Sequence, residues 1–420
     1  MNNESRLKGI LKTLGPGLLM AGAAIGVSHL VQSTRAGASY GYALIWAVLL
    51  ANLFKYPFLE FGPRYATMTG NSLLEGYMNL GKWAMGIFII FTLGTMFTIQ
   101  AAVTVVTAGL ASQLTGIALG PVTWSAIILV ICIALLMSGQ YPMLDTTMKI
   151  IMALLVVSTI TALIAAIFHG QVGQVPTNSP VIWNITGVSF LLALMGWMPI
   201  PIDVSVWHSL WTLEREKQTS HKPSMSESLF DFNLGYLAAA FMALAFLLLG
   251  ALLMYGTGEK FADSGAAFAG QLIQLYTDSL GNWSYPIIGL AAFTTMFSTT
   301  LTVTDAYPRV LRRALRVMYP EAIGTQQNYR FYLFFIILVP ALSLGVLALL
   351  GKSFTFMVDL ATILSFLTAP LLGYINYRVV TSEEMPEEGR PPFWLKILSW
   401  GGLIFLSGFA LLYLYWLVQY

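Results

Sequence analysis

Two ionisable side chains sit in stretches of this chain that are apolar enough for lipid. His29 lies in GPGLLMAGAAIGVSHLVQSTRAGA, residues 15–38, and Asp203 lies in FLLALMGWMPIPIDVSVWHSLWTLE, residues 190–214. Titratable groups inside hydrocarbon are costly, so they mark pathways and binding sites more often than packing. The hydroxyl of Ser28, the thioether of Met198 and backbone carbonyls freed by two interruptions stand beside them. Gly22, Gly26 and Ser28 weaken the first stretch as a helix, and Pro199 and Pro201 remove backbone donors and break the second. A broken helix is tolerated at membrane depth only where protein or a water-filled cavity surrounds it. A weakened helix with a titratable residue at its break therefore reads as a binding site and not an anchor. The carbonyls of Ala24 and Ile25, together with Ser28, serve equally to coordinate a cation or to hydrogen-bond a small solute.

The expected substrate-binding set is therefore Gly26, Ser28, His29, Met198, Pro199 and Asp203. Each has a plainer alternative. His29 can be a hydrogen-bonded packing histidine, and Met198 a core filler. Asp203 can cap the second half of its broken helix, where the helix dipole favours negative charge. Lys55, Glu60 and Arg64 fall towards the inner end of the second apolar segment and read as a cytoplasmic gate or a snorkelling network. Asp305 and Arg309, one turn apart, read as an intrahelical ion pair. Asp359 pairs with Lys352 or takes part in ion passage. His208, five residues after Asp203, points to another face and reads as structural.

These residues must be positioned by membrane helices. The chain has 420 residues, 57% of them hydrophobic and 10% charged, with a mean hydropathy of +0.74; a soluble protein carries about 25% charged residues. The net charge of +2 gives no reason to expect a nucleic-acid partner, and one cysteine, Cys132, excludes a disulfide framework or a cysteine metal site. There is no nucleophile–base arrangement, phosphate-binding glycine loop or cofactor motif, so a transporter is expected and an enzyme is not. The first apolar stretch is too long for a cleavable signal and lacks a small-residue cleavage site.

Eleven apolar segments of about 20 residues are expected to span the bilayer. They are residues 15–38, 42–64, 82–112, 120–137, 146–168, 187–213, 232–255, 285–307, 331–350, 354–377 and 393–417. With the N-terminus inside and the C-terminus outside, all basic residues but Arg35, Lys260 and Lys352 fall on the cytoplasmic side, as the positive-inside rule requires. A short extracellular helix is expected over residues 264–280. Two interrupted segments, each opening one half of a five-plus-five arrangement, point to an inverted repeat with its site at the two breaks. The organisation is then a cytoplasmic N-terminus (1–14), an inverted-repeat core of ten helices (15–378), and a cytoplasmic loop with an eleventh helix (379–420). An all-α protein of the bacterial inner membrane, monomeric and without cofactors, is expected.

GPGLL at Gly15, AGA at Ala36, YGYALIWAVLLANL from Tyr40, MP at Met198, HSL at His208 and STTLTVTDAY from Ser298 resemble the Nramp (natural resistance-associated macrophage protein) family of divalent metal transporters. The resemblance implies a LeuT-like fold whose first helix breaks at Asp-Pro-Gly-Asn and whose sixth breaks at Met-Pro-His. It implies a metal bound by that Asp, that Asn, the Met sulfur and backbone carbonyls. This chain departs from the pattern. Gly26 stands at the Asp position, Val27 and Ser28 at Pro and Gly, and His29 at Asn. Met198 and Pro199 match, Ile200 replaces the His unless Asp203 takes that role, and Ala361 replaces the tenth-helix Gln. The acids that the family has on its third helix are absent, since that segment offers only Thr92, Thr95, Thr98 and Gln100, and the ninth has no Arg. The function the resemblance implies is alternating-access transport of a divalent metal ion at a modified site, with His29, Met198 and Asp203 as the metal ligands and without the family's proton route; imidazole suits Mn²⁺, Fe²⁺ or Zn²⁺ better than Mg²⁺. The alternative is a carrier of a small, amino-acid-like solute on the same scaffold. A sensor that binds without transporting is a third reading.

Overall fold

The computed structural model describes residues 9–138, 141–173, 180–258, 261–321, 325–351 and 353–419, which are helical throughout with no strand among them. The first crossing is α1 (Pro16–Ala24), a break at Ile25 and Gly26, a π-helical run over Ser28–Ser33, and α2 (Thr34–Tyr40). There follow α3 (Ile45–Thr69), the short α4 (Leu73–Leu80), α5 (Lys82–Thr115), α6 (Pro121–Met137) and α7 (Tyr141–His169). The sixth crossing is α8 (Ile185–Gly196), seven non-helical residues, and α9 (Val204–Thr219). The rest are α10 (Met225–Leu253), α11 (Gly265–Leu280), α12 (Tyr285–Met318), α13 (Thr325–Leu350), α14 (Phe354–Val380) and α15 (Phe393–Gln419).

Eleven crossings thus fall where eleven apolar segments were expected, with α4 and α11 lying between crossings. Six helices are long and apolar enough on their own to cross a bilayer. The other five crossings fall short for visible reasons. Two are broken, α3 carries Lys55, Glu60 and Arg64 with two internal prolines, and α6 is apolar but shorter; of the 29-residue α7, the apolar stretch among the described residues is Ala153–His169. The site expected at the breaks does not need long helices; it needs helices that stop.

A chain broken inside hydrocarbon must be wrapped by other helices. The first crossing lies against α10, and the two backbones touch. A Cβ on Gly17 would come 1.9 Å from the Asp231 carbonyl oxygen, and one on Gly250 would come 2.3 Å from the Thr34 carbonyl oxygen. Only glycine permits this approach, which is how membrane helices pack without a hydrophobic driving force. On the other side α12 covers α1, α3 packs along α9, and α14 packs along α8. Both breaks are therefore enclosed by protein on all sides.

The start of α1 has no side-chain cap of its own; Asp231 of α10 supplies one from across the interface. Its carboxylate accepts from the Gly15 amide at 2.9 Å and the Gly17 amide at 2.6 Å. Replacing an N-cap side chain costs roughly 0.5–2 kcal/mol. Asp231→Ala should accordingly lower the melting temperature of the purified protein while leaving its helix content unchanged; equal melting curves would show that the cap contributes nothing.

Candidate functional site

Breaking a helix leaves carbonyls and amides without partners, and the site is built from the groups that satisfy them. At the first break, Ile25 departs from helical geometry (φ −73°, ψ 61°), and the chain resumes as the wider π-helical turn. The Ser28 hydroxyl lies 2.8 Å from the Ala24 carbonyl, 2.7 Å from His29 Nδ1 and 3.5 Å from the carbonyl of Pro199 in the other break. Ser28 is thus where the two interrupted crossings meet. Ser33, one turn further along, donates to the Ser28 carbonyl at 3.3 Å and faces Met198 Sδ at 4.0 Å. Met198, Pro199 and Ile200 are all buried, and the Met198–Pro199 peptide is cis.

His29 is turned away from this junction. Its Nε2 lies 2.8 Å from the Ala239 carbonyl of α10, which can only accept, so Nε2 carries the hydrogen and Nδ1 faces the Ser28 hydroxyl. Both ring nitrogens are engaged, and neither is open to a metal. The expected metal ligation by His29 is corrected: the side chain ties the first crossing to α10. Gly26 has a different neighbour. A Cβ there would meet Thr299 Oγ1 of α12 at 2.8 Å and its Cγ2 at 3.1 Å, and the Thr299 hydroxyl reaches the freed Gly22 carbonyl at 3.1 Å. A threonine from the eighth crossing thus abuts the backbone at the position that carries the family's carboxylate.

Asp203 occupies the residue before α9. Its carboxylate accepts from the Tyr307 hydroxyl of α12 at 3.3 Å, lies against the backbone at the start of α9, and is buried. Tyr307, Ser28 and Thr299, together with Trp197, Pro201 and Trp207, line a cavity of about 30 Å³ between the two breaks. A water needs roughly 10–15 Å³ of such space, so the enclosed site admits a bare ion or a water or two. Its remaining walls are apolar.

Lys55 is the largest departure from the sequence reading. It lies near the middle of the 25-residue α3 and is fully buried, not at the cytoplasmic end where a gate or snorkelling lysine belongs. Its ammonium donates to the carbonyls of Met195 at 2.8 Å and Gly196 at 2.6 Å, the last two residues of α8, and of Ile200 at 3.4 Å in the break that follows. The signal was present as a lysine amid apolar residues half-way along a spanning segment. Its partner, a helix end 140 residues away, was not.

The remaining charges close the two ends. Arg35 pairs with Asp359 of α14 through two contacts of 2.7 and 3.2 Å, Gln32 donates to the same carboxylate at 2.8 Å, and the Arg35 guanidinium lies over Phe190. The partner of Asp359 is thus Arg35 on the first crossing; Lys352 lies outside the described residues. At the other end Glu60 and Arg64 form a buried i,i+4 pair, and Arg64 also donates to the Gly389 carbonyl ahead of α15. Asp305 and Arg309 form an i,i+4 pair of 2.5 Å that Tyr332 joins through Asp305. His208 is buried against Trp211 and Phe232, and neither ring nitrogen has a hydrogen-bond partner. Between α5 and α12 the side-chain hydrogen bonds are neutral: Gln100 to Thr304, and Thr107 to Thr300.

Two interrupted crossings that meet around a small polar cavity, wrapped by α3, α10, α12 and α14, define a membrane transporter of the five-plus-five inverted-repeat class. Within it the chain belongs to the Nramp family, of transporters and not enzymes: the model of natural resistance-associated macrophage protein-like sequences matches residues 17–416. An uncharacterized protein of Pasteurella multocida is 36% identical over 405 residues, covering 96% of this chain and 91% of that one. A crystal structure of a mutant Eremococcus coleocola manganese transporter superposes with a TM-score of 0.71 at 14% identity, covering 98% of this chain and 87% of the other. The structure of MhsT in complex with L-phenylalanine superposes with a TM-score of 0.61 at 13% identity, covering 95% and 97%.

Restoring the family's carboxylate by Gly26→Asp should damage the fold before it improves the site. Overpacking of this kind costs typically 1–3 kcal/mol. Gly26→Asp in a Thr299→Gly background should recover the melting temperature lost in the single variant; no recovery would show that the clash lies elsewhere.

Proposed function

We propose that the protein is a secondary transporter of the bacterial inner membrane that carries a divalent metal ion across the bilayer by alternating access. The observation that carries this reading is the meeting of the two breaks at Ser28 and Pro199 around a cavity of ionic size, in a chain that matches the Nramp family over nearly its whole length. The Eremococcus coleocola neighbour is a manganese transporter, which supports the cargo class. Asp203 supplies the carboxylate, Met198 a soft sulfur, and Ser28 with the carbonyls of Ala24 and Pro199 the neutral oxygens. This mixture suits a first-row transition ion better than Mg²⁺, which prefers oxygen alone.

Alternating access then consists of opening one end while the other stays closed. Arg35–Asp359 ties the first crossing to α14 at one end, and Glu60–Arg64–Gly389 ties α3 to the segment before α15 at the other. The distribution of Lys and Arg assigns the first to the outside and places the N-terminus in the cytoplasm and the C-terminus outside. The neutral contacts between α5 and α12 support transport without a proton route through the third crossing. Each monomer contains the whole site.

One observation favours a second reading, a carrier of a small organic solute. Among the described residues no three His, Cys, Asp or Glu side chains group as metal ligands, and the cavity walls include Trp197, Trp207 and Tyr307. MhsT, a neighbour of the same fold, is seen with L-phenylalanine.

Proteoliposome uptake separates the two. Mn²⁺ should accumulate, and Asp203→Ala should slow it at least about tenfold, equivalent to losing about 1.4 kcal/mol; Mn²⁺ uptake indistinguishable from empty liposomes would remove the metal reading. In a melting-curve screen a true cargo at a hundredfold excess over its Kd should stabilise the protein by roughly 2.7 kcal/mol. Shifts caused by amino acids alone would establish the second reading.

A further inference from the structure

We propose that Lys55 is a resident cation of the transport site, its ammonium filling a cage of backbone carbonyls at the break of the sixth crossing that would otherwise bind a free monovalent cation. The inference rests on the reading that the two breaks frame the site, but not on the identity of the cargo.

Three observations carry it. First, the ammonium is spent entirely on carbonyls. A lysine has three N–H donors, and those of Lys55 go to Met195, Gly196 and Ile200. Its hydrogen bonds among the described residues include no carboxylate. Asp203, the acid that faces it electrostatically, accepts from Tyr307 instead. Second, among the described residues two of the three carbonyls have no backbone partner. Where α8 ends, no backbone amide among the described residues reaches the oxygens of Gly196 or Ile200, and the Met195 oxygen receives only the amides just beyond the helix end. Third, the position is the negative pole of a half-helix. The last carbonyls of a helix carry about half a negative charge, and carbonyls converging on one point replace the hydration shell of a cation in ion-selective proteins. A buried charge is tolerated only when it is bonded in this way.

One consequence follows for transport. The cage is closed to Na⁺ or K⁺ while the lysine holds it, so the folded site needs no added monovalent cation. Lys55 is a positioning residue here, holding the end of α8 where the break begins.

Stability of the full chain in detergent, read by melting temperature in choline chloride at fixed ionic strength, tests this apart from transport. Lys55→Ala should melt several degrees below the wild type. Added n-propylammonium, which has the atoms that the substitution removes, should restore the loss saturably, while added choline should not. Lys55→Met, which fills the space without a charge, should melt low and stay low with propylammonium. The wild type should melt identically in NaCl, KCl and choline chloride. Lys55→Met as stable as the wild type, or a folded Lys55→Ala that propylammonium leaves unchanged, would overturn the proposal. A saturable Na⁺- or K⁺-specific shift of the wild type would also overturn it, and this arm decides the question if neither variant folds. Because none of these readings involves uptake, a failure to carry Mn²⁺ would leave the result intact.

Discussion

Everything at the centre of this molecule follows from one constraint: peptide groups released by breaking a helix inside a low-dielectric core must find partners there, because no bulk water can supply them. Two crossings break, and several of the released carbonyls are met by side chains. Lys55 of α3 serves the end of α8. Thr299 of α12 serves Gly22, and the Ser28 hydroxyl lies beside the Ala24 carbonyl of its own crossing. The Trp197 indole, carried by the break itself, is held by Ser365 of α14 at 2.8 Å. The cavity is what remains once these partners are in place.

The same constraint shapes the surroundings of Gly26. Thr299 abuts it, and the charged groups near the breaks are Asp203 on the sixth crossing and Lys55 on the second. His29 has become a strut: its two nitrogens join Ser28 to Ala239 and hold the π-helical segment against α10. The site is thereby tied to the helices that surround it, so movement of α3, α10 or α12 relative to the breaks must disturb its hydrogen bonds. That is the coupling alternating access requires.

Asn376 shows how far this bracing extends. From α14 it donates to the Phe58 carbonyl of α3 at 3.0 Å and to Ser205 of α9 at 2.8 Å, while accepting from Tyr77 of α4 at 2.5 Å. One buried amide thus links the second half of the broken sixth crossing to three other helices. Such a satisfied network is rigid in one arrangement, and it can change only as a unit.

The amino-acid sequence by itself determined the eleven crossings, the two breaks and the choice of Ser28, Met198, Pro199 and Asp203 as residues close to the junction, because hydrophobic length, proline and glycine act locally and leave their mark within about 20 residues. It also placed Asp305 beside Arg309, one turn away on the same helix. Tertiary structure alone decided the partners. That His29 faces α10, that Asp359 meets Arg35, and that Lys55 holds the end of α8 all depend on contacts between residues from 140 to 324 positions apart in the chain. A hydrogen bond needs its two atoms within about 3 Å, and no periodicity along one helix says which other helix will bring the second atom there.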